Sequence, residues 1–309
     1  MNTKACFLIA SVMSVSLFSC SSDEDYIAPT EGAHLNVFVE QLQYEDDTRS
    51  AYIPSGNKLF WVPGDAINVY DDKLMTYDEY VFSPEKSLFT TDNTESQIEG
   101  TITYALFPMD IVDYSGWTSH GNRAVINLAS TIVYNSDMEN TTTVSGQTLY
   151  TAKLPMWGTA SGEFGSVSVN LKYLCAVMKL KVSKDKASFV KIASATKPLS
   201  GGVEAVIAKN GQTEAEPVIK KGAASLGTNN YVIVDLRQMT SDEGYVYVPL
   251  IPDTYTDLTV SYTNLEVPVG TSLTKAQIAD KDETIWTLLK AYPTTGKAFM
   301  RNKVYVVNL

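Results

Sequence analysis

The sequence is poor in the residues that metal sites and many catalytic sites require. Two histidines and three cysteines occur among its 309 residues. Neither His34 nor His120 has a second His or Cys at the spacing of a zinc site, and the G-x-S-x-G, P-loop and dinucleotide-binding motifs are missing. The sequence therefore predicts a protein that is not an enzyme and that binds no metal and no cofactor.

Positive charge is also scarce. The chain has 24 Lys and Arg against 35 Asp and Glu, which gives a formal net charge of −11. Nucleic-acid binding relies on clustered cations that neutralise phosphates, so this balance argues against a nucleic-acid partner. At 44% hydrophobic and 19% charged residues, the chain nevertheless has enough apolar material to fold around a core.

Long hydrophobic runs are confined to the amino terminus. Lys4 precedes a largely apolar run, Ala5–Phe18, which is shorter than a membrane-spanning helix needs and typical of a secretory signal. The run leads into Leu17-Phe18-Ser19-Cys20, which resembles the lipobox of bacterial lipoproteins. That resemblance implies cleavage before Cys20, lipidation of this cysteine and a lipid anchor in the cell outer membrane.

The residues after the lipobox and the remaining cysteine agree with this location. Ser21-Ser22-Asp23-Glu24-Asp25 resembles the tag of surface-displayed lipoproteins, with a plain acidic tether as the alternative. Beyond Cys20, the mature chain would contain one further cysteine, Cys175, so no disulfide is expected within it. The apolar run around Cys175 predicts a buried and inert thiol.

Apolar and polar residues alternate with a period of two along much of the remaining chain. In His34–Gln41, this alternation places Leu35, Val37 and Val39 on one face. Helical patterning is scarce, and Ser272–Tyr292 is the one stretch that could hold one or two short helices. Many short strands separated by polar turns predict an all-β protein built of β-sandwiches.

The length of the mature chain indicates two such domains, because it exceeds one ordinary sandwich. A Gly- and Ser-rich stretch at residues 158–166 marks the predicted boundary. The sequence thus predicts a lipoprotein signal peptide at 1–19, an acidic tether at 20–32, an N-terminal β-sandwich at 33–160 and a C-terminal β-sandwich at 161–309.

A series of short motifs follows in order through most of the mature chain. They are Trp61-Val62-Pro63-Gly64-Asp65 leading into Ile67-Asn68-Val69-Tyr70, Tyr104-Ala105-Leu106-Phe107-Pro108, Leu154-Pro155-Met156, LKYLCAVMKLKV at residues 171–182, Leu199-Ser200-Gly201-Gly202, VYVPLIPDTY at residues 246–255, and Arg301-Asn302-Lys303-Val304-Tyr305. Each motif is weak alone. Together, after a lipobox, they resemble the fimbrillin family, the pilin-like surface lipoproteins of Bacteroides-type bacteria.

The resemblance implies two tandem transthyretin-like β-sandwich domains of Greek-key type, and assembly into fimbriae by strand exchange. In that scheme, a protease cuts after Arg49 and releases residues 20–49. The face of Leu35, Val37 and Val39 leaves with them, and a donor strand from a neighbouring subunit fills the opened groove. An Arg49 that is simply solvated and uncut is the alternative.

The implied role is that of a structural or adhesive fimbrial subunit, a pilus protein that is a surface lipoprotein before processing and part of a fimbrium afterwards. Its partners would be other fimbrial subunits. Stalk-forming members of the family carry a donor segment beyond the Arg-Asn-x-x-Tyr strand, whereas this sequence stops on that strand at Leu309. A tip or accessory subunit is therefore expected rather than a stalk subunit.

Aromatic residues leave a second interpretation open. The chain has 18 Tyr and 4 Trp, and such rings stack on sugars as well as filling cores. Tyr70, Tyr77 and Tyr80, or Tyr114 and Trp117, could contact a glycan or a host surface, although ordinary strand propensity also explains them. The alternative function is a monomeric, lipid-anchored surface protein that binds glycans.

Overall fold

Almost all of the regular structure in this chain is β-strand. The protein is described by a computed structural model. The residues that it describes are 34–40, 43–44, 61, 63–71, 76–91, 103–107, 112–113, 122–134, 154–163, 166–208, 218–221, 227–240, 242–279 and 285–308. Within them lie 23 strands and one five-residue helix, which confirms the all-β expectation.

The strands follow the runs of alternating and β-branched residues. The first twelve are β1 (His34–Val39), β2 (Gln43–Tyr44), β3 (Ala66–Asp71), β4 (Thr76–Ser83), β5 (Leu88–Thr90), β6 (Thr103–Phe107), β7 (Val112–Asp113), β8 (Asn122–Leu128), β9 (Thr131–Val133), β10 (Met156–Glu163), β11 (Ser166–Tyr173) and β12 (Ala176–Ser183). The others are β13 (Phe189–Ala193), β14 (Ser200–Ala208), β15 (Val218–Lys221), β16 (Thr228–Asn229), β17 (Tyr231–Asp235), β18 (Glu243–Leu250), β19 (Asp253–Tyr255), β20 (Thr259–Thr263), β21 (Thr287–Ala291), β22 (Lys297–Phe299) and β23 (Lys303–Asn308).

Seven strands form a closed sheet in the order β1-β11-β10-β6-β3-β4-β5. It surrounds a hydrophobic cluster, here called the first core, that draws on both ends of the chain. The buried members of the first core are Leu35, Ile67, Val69, Tyr80, Phe89, Ala105, Phe107, Leu154, Met156, Val167, Val169, Leu171, Tyr173, Cys175, Val177 and Val304. Trp61 packs edge-on against Phe89 and Phe107, with ring centroids 4.8 and 5.1 Å away.

A four-stranded sheet, β18-β12-β23-β2, contributes side chains to two cores. Because successive side chains of a strand point to opposite faces, β12 sends Val177 into the first core and Met178 into another cluster, here called the second core. Strand β23 divides in the same way between Val304 and Tyr305. The long apolar stretch that precedes Ser183 thus serves both cores.

A five-stranded sheet, β21-β20-β13-β17-β9, supplies the other side of the second core. Its strands direct Ile192, Val232 and Val260 into that core, where each is fully buried. The remaining strands form a sheet in the order β15-β14-β8-β7, with β16 also paired to β14, and a two-stranded ladder of β19 and β22.

The predicted domain organisation concerns the signal, the tether and two β-sandwiches. The described residues, from His34 onward, belong to one compact unit, whereas the whole of the predicted signal and of the predicted tether lies outside them. The boundary predicted after residue 160 falls within β10, which pairs over eight positions with β11. The division into two tandem transthyretin-like domains stays a prediction.

Within the described part of Ser272–Tyr292, where the sequence allows one or two short helices, lies one helix, α1 (Lys275–Ala279). A capping box begins it: Thr274 Oγ1 accepts a hydrogen bond from the Gln277 backbone N–H at 3.2 Å, and Gln277 Oε1 accepts one from the Thr274 N–H at 2.8 Å. The later part of the stretch is strand β21, which pairs with β20.

Candidate functional site

Strand β1 completes the closed sheet from the amino-terminal side. It runs parallel to β11 over six residue pairs, from His34 opposite Ser166 to Val39 opposite Leu171. On its other side it runs antiparallel to β5 over two described pairs, of which Leu35 with Phe89 is one. Strand β1 therefore lies between β5 and β11 in the closed sheet, although β11 is far from it in the sequence.

The face predicted from the alternation in β1 is turned towards the first core. Leu35 is 1% exposed and belongs to that core, and Val37 and Val39 are half-buried and pack against it. Phe38 points the other way and is 59% exposed. The structure thus brings the three predicted residues together, while their role in strand exchange stays a prediction.

The backbone contacts of β1 continue beyond Val39. The Glu40 N–H donates to the Leu171 carbonyl at 2.8 Å, and the Gln43 N–H donates to the Asn302 carbonyl at 3.0 Å. Strand β2 then runs parallel to the start of β23, with Gln43 opposite Lys303. The same amino-terminal segment therefore contacts both the closed sheet and the four-stranded sheet.

The Arg-Asn-x-x-Tyr motif forms the turn that receives this segment. Asn302 has a positive φ of 59°, which asparagine tolerates better than most residues, and its N–H donates to the Cys175 carbonyl at 3.1 Å. The Tyr305 hydroxyl accepts from the Met300 N–H at 2.9 Å and donates to the Ala298 carbonyl at 2.7 Å. These contacts fix the turn that carries Arg301.

Arg301 forms an ion pair with the amino-terminal segment. Its Nη1 lies 3.0 Å from Glu40 Oε2, and the side chains are 22% and 27% exposed, respectively. The two residues are 261 positions apart in the sequence. Sequence reasoning identified Arg301 as part of a motif but did not pair it with Glu40, because no local pattern signals a contact at such a separation.

Two of the predicted site residues lie outside the described part of the chain. They are Cys20, the predicted lipidation site, and Arg49, the predicted processing site. The chain has three further arginines, and all of them lie in described structure. Arg123 is in β8, Arg237 makes an ion pair with Asp235 at 2.6 Å, and Arg301 pairs with Glu40.

Cys175 is buried, as the sequence predicts. Its side chain is 1% exposed in the first core, and it forms no disulfide. Burial raises the pKa of the thiol well above its usual range, because the thiolate would lose its hydration. The thiolate, which is the reactive form, is therefore disfavoured at neutral pH.

Of the aromatic residues that the sequence offers for glycan contact, only Tyr80 has a described side chain. Tyr80 is fully buried in the first core, so its ring cannot form part of a surface platform. Its position in β4 opposite Ile67 explains this burial, since both point into the closed sheet. Tyr114 and Trp117 lie outside the described residues, as do the side chains of Tyr70 and Tyr77.

A polar groove of about 700 Å³ lies on the outer face of the five-stranded sheet. Its polar lining consists of Lys191, Ser194, Asn229, Asn230, Asp257, Thr259, Ser261 and Lys275, and its apolar lining includes Tyr231, Ile278, Trp286 and Leu288. No local sequence pattern signals this groove, because its residues come from five strands, a helix and neighbouring loops that are separated along the chain.

Three contacts organise the polar groove. Lys191 is 8% exposed, its Nζ donates to the Ile278 carbonyl at 3.2 Å, and it lies 4.3 Å from the ring centroid of Trp286. Ser194 donates its hydroxyl to Asp257 Oδ1 at 2.6 Å. Burial opposes ionisation of Asp257, but hydrogen bonds from Ser194 and neighbouring groups outweigh it and lower the pKa of its carboxyl.

Two kinds of feature are absent from the described ranges. There, no three His, Cys, Asp or Glu side chains converge as they would around a metal ion. No described helix has the length and apolar character needed to cross a membrane.

Comparisons with known proteins give similar solved structures. The sequence matches no protein-family model and no curated protein. The chain is similar to a proposed cell adhesion protein from Bacteroides ovatus, with 12% identity and a TM-score of 0.43 over 90% of this chain and 92% of that one. It is also similar to a fimbrial protein from the same species, with 12% identity and a TM-score of 0.35 over 90% of this chain and 48% of that one.

A further neighbour is the minor pilin of Streptococcus agalactiae, with 10% identity and a TM-score of 0.23 over 90% of this chain and 94% of that one. The chain spans about half the length of the fimbrial protein and most of the length of the other two. These three neighbours are thus an adhesion protein, a fimbrial protein and a pilin.

Proposed function

We propose that this protein is an adhesive fimbrial subunit that accepts a β-strand from a neighbouring subunit. The observation that carries the proposal is the position of β1, which closes the sheet around the first core. The segment that follows the carboxyl end of β1 joins this strand to the rest of the described chain. Loss of β1 would open the sheet between β5 and β11. It would expose the part of the first core that Leu35, Val37 and Val39 now contact.

The opened site would offer an incoming strand two kinds of interaction. The ladder edge of β11 supplies backbone hydrogen bonds over the six positions now occupied by β1, independently of side-chain identity. The first core supplies the space now filled by Leu35, which favours a strand with apolar residues at alternate positions. Affinity and register thus have separate physical sources.

The proposal includes the predicted processing and location. Cleavage after Arg49 would release residues 20–49, which contain β1, β2 and the lipidated Cys20, and would convert an outer-membrane lipoprotein into a fimbrial component. The tandem transthyretin-like domains belong to the same proposal, and the presence of two large cores supports them. The tip or accessory position in a fimbria stays a prediction from the sequence.

The surroundings of the other arginines support selective cleavage. Proteases bind a segment that can separate from the fold, whereas Arg123 is in a strand that is hydrogen-bonded to β14. Arg237 is held by Asp235 and donates to the carbonyl groups of Val267 and Thr271, both at a distance of 2.8 to 2.9 Å. An arginine-specific protease is therefore expected to leave these positions intact in the folded protein.

The proposal is tested by limited proteolysis of the lipid-free mature protein. We expect an arginine-specific protease to make one cut, after Arg49, and to leave a folded fragment that binds a labelled peptide of residues 34–44. Mass spectrometry identifies the cut, circular dichroism reports the fold, and fluorescence anisotropy reports peptide binding. The Arg49→Gln variant is the matched control and should be neither cut nor able to bind the peptide.

Two results contradict the proposal in different ways. Resistance of Arg49 to the protease opposes the processing step. A cut fragment that unfolds, or that stays folded and never binds the peptide, opposes strand acceptance itself. If strand acceptance fails in this way, a variant with a different protease site in place of Arg49 should, after its own cut, also fail to bind the peptide.

A second candidate function, glycan binding by a monomeric surface protein, is favoured by the polar groove. Sugars need donors and acceptors for their hydroxyl groups and apolar surface for their C–H faces, and the groove lining combines both. Its volume of about 700 Å³ lies in the usual range of small-ligand sites.

This second function is tested with a glycan array followed by calorimetry on any glycan that binds. Asn229→Ala and Lys275→Ala change the groove, and Lys184→Ala changes an exposed lysine elsewhere. Glycan binding that the two groove variants lose and the control keeps supports the groove as the site. Binding that all three variants keep places the glycan elsewhere.

A further inference from the structure

The amino-terminal segment is held by an ion pair at the point where the β1–β11 ladder ends. Besides its contact with Glu40 at 3.0 Å, Arg301 directs Nη1 to the carbonyl oxygen of Tyr173, the last residue of β11, at 3.4 Å. Glu40 itself follows the last residue of β1 and donates its N–H to Leu171. The guanidinium group thus contacts the ends of both paired strands.

Resting on the proposed strand exchange, we propose that Arg301 selects and aligns the incoming strand. The strand that replaces β1 carries a carboxylate immediately after three alternating apolar residues, in the position of Glu40. Its chemical pattern is apolar, any, apolar, any, apolar, acidic, which the present segment shows from Leu35 to Glu40. The partner is therefore an extended segment with an acidic residue at one defined position.

The apolar face alone leaves the register of such a strand ambiguous. A shift by one residue turns the apolar side chains away from the core, but a shift by two restores the correct face. A shift by two also moves the carboxylate by about 7 Å along the strand. Because the Arg301–Glu40 contact is 3.0 Å long, that displacement breaks the ion pair and distinguishes the two registers.

A second contact lies further along the same segment. The Lys303 ammonium donates to Gln43 Oε1, and the Gln43 N–H donates to the Asn302 carbonyl at 3.0 Å. Lys303 and Arg301 flank Asn302 in one turn, so this turn presents two cations and one carbonyl to the incoming chain. A segment with basic residues at these positions would meet like charges and be disfavoured.

The test uses mature full-length protein in which a specific protease site replaces residues 46–50, so that it does not depend on cleavage at Arg49. After the cut, labelled peptides with the sequence of residues 34–44 compete for the site. The series contains the natural peptide, Glu40→Gln, Glu40→Arg and Leu35→Asp. Fluorescence anisotropy gives the affinities, and the protein is unchanged within this peptide series, so folding defects cannot explain differences among the peptides.

We expect the Glu40→Gln peptide to bind about tenfold more weakly than the natural peptide, as for loss of a charge-assisted hydrogen bond. Glu40→Arg should bind more weakly still. In the Arg301→Glu protein, the Glu40→Arg peptide should bind better than the natural one, which is the reverse of the order in the unchanged protein. Added salt should reduce the advantage of the natural peptide over Glu40→Gln, because it screens the ion pair.

Two outcomes separate this inference from the proposed function. If Glu40→Gln binds as tightly as the natural peptide while Leu35→Asp fails to bind, strand acceptance stands and selection by Arg301 is overturned. If the natural peptide does not bind, both selection and strand acceptance are overturned.

Discussion

The first core and the second core are both filled with aliphatic and aromatic side chains, but their strands are held differently. In the first core, β1 has a six-pair ladder to β11 and a ladder of two described pairs to β5. In the second core, β12 is bonded on both sides, over eight pairs to β18 and five to β23. One core thus depends on an amino-terminal strand with one long and one short ladder, and the other is built around a strand with a long ladder on each side.

This difference concerns local stability. A strand that is paired mainly along one side can separate without breaking a central ladder, so its opening costs less free energy than unfolding of the whole molecule. Removal of β12 would break two ladders and take side chains out of both cores. We therefore expect the first core to open locally at β1, and the second core to unfold only with the whole protein.

The largest predicted effect is in the second core. Phe299 is 1% exposed and packs against Tyr292 and Tyr305, with ring centroids 5.3 and 4.0 Å away. Phe299→Ala leaves a cavity among these rings and should lower the free energy of unfolding by about 3–5 kcal/mol. Urea denaturation followed by circular dichroism measures this loss. A loss below about 1 kcal/mol, the effect expected for a surface change, would contradict the assignment of Phe299 to a rigid core.

Leu35→Ala tests the first core and should have a smaller effect on global stability. The side chain is 1% exposed, so its truncation should cost about 2–3 kcal/mol, towards the low end of buried Leu→Ala changes because β1 can shift or separate. Hydrogen exchange should show the β1 amides losing protection before those of β12. Phe38→Ala, on the exposed face of the same strand, is the control and should change stability by less than about 0.5 kcal/mol. Equal losses of protection in β1 and β12 would remove the proposed difference between the cores.

Tyr305→Phe tests the link between the two regions. The hydroxyl holds the turn at Met300, which carries the Arg301 that contacts Glu40. Loss of its two hydrogen bonds should cost about 1 kcal/mol. Hydrogen exchange should also show faster exchange of the Glu40 and Gln43 amides, which a change confined to the second core would leave unaltered.

The smallest predicted effect is a pH dependence at the polar groove. The folded-state pKa of Asp257 lies below the ordinary 3.8, so the protonated, unfolded chain is favoured as the pH falls. The stabilisation is present above pH 3.8 and is lost as the pH falls from there through the folded-state pKa. Melting temperatures measured from pH 6 to pH 2 should fall further for the natural protein than for Asp257→Asn. Parallel curves for the two proteins would show that Asp257 contributes nothing to the acid response.

Several features of the fold could be predicted from short-range patterns in the sequence. Alternation in His34–Gln41 correctly placed Leu35 on an apolar face, and the apolar run around Cys175 correctly predicted its burial. The VYVPLIPDTY motif also has a local explanation, since the Tyr255 hydroxyl lies 2.6 Å from the carbonyl of Ile251 within the same motif.

Other features depended on partners that local patterns do not specify. Tyr80 was considered for surface contact, yet pairing of β4 with β3 turns it into the first core. The polar groove joins Lys191, Asp257 and Trp286, which no common motif connects. The stretch Ser272–Tyr292 allowed helices, but pairing with β20 makes its later part a strand.

The sequence by itself determined which residues of β1 are apolar, because side chains of a strand alternate between faces whatever the strand pairs with. Only the tertiary structure decided that β1 lies parallel to β11 and that Glu40 meets Arg301, 261 residues later. The physical reason is that hydrogen-bond ladders and ion pairs join groups that are close in space, and closeness in space depends on how all the strands pack together.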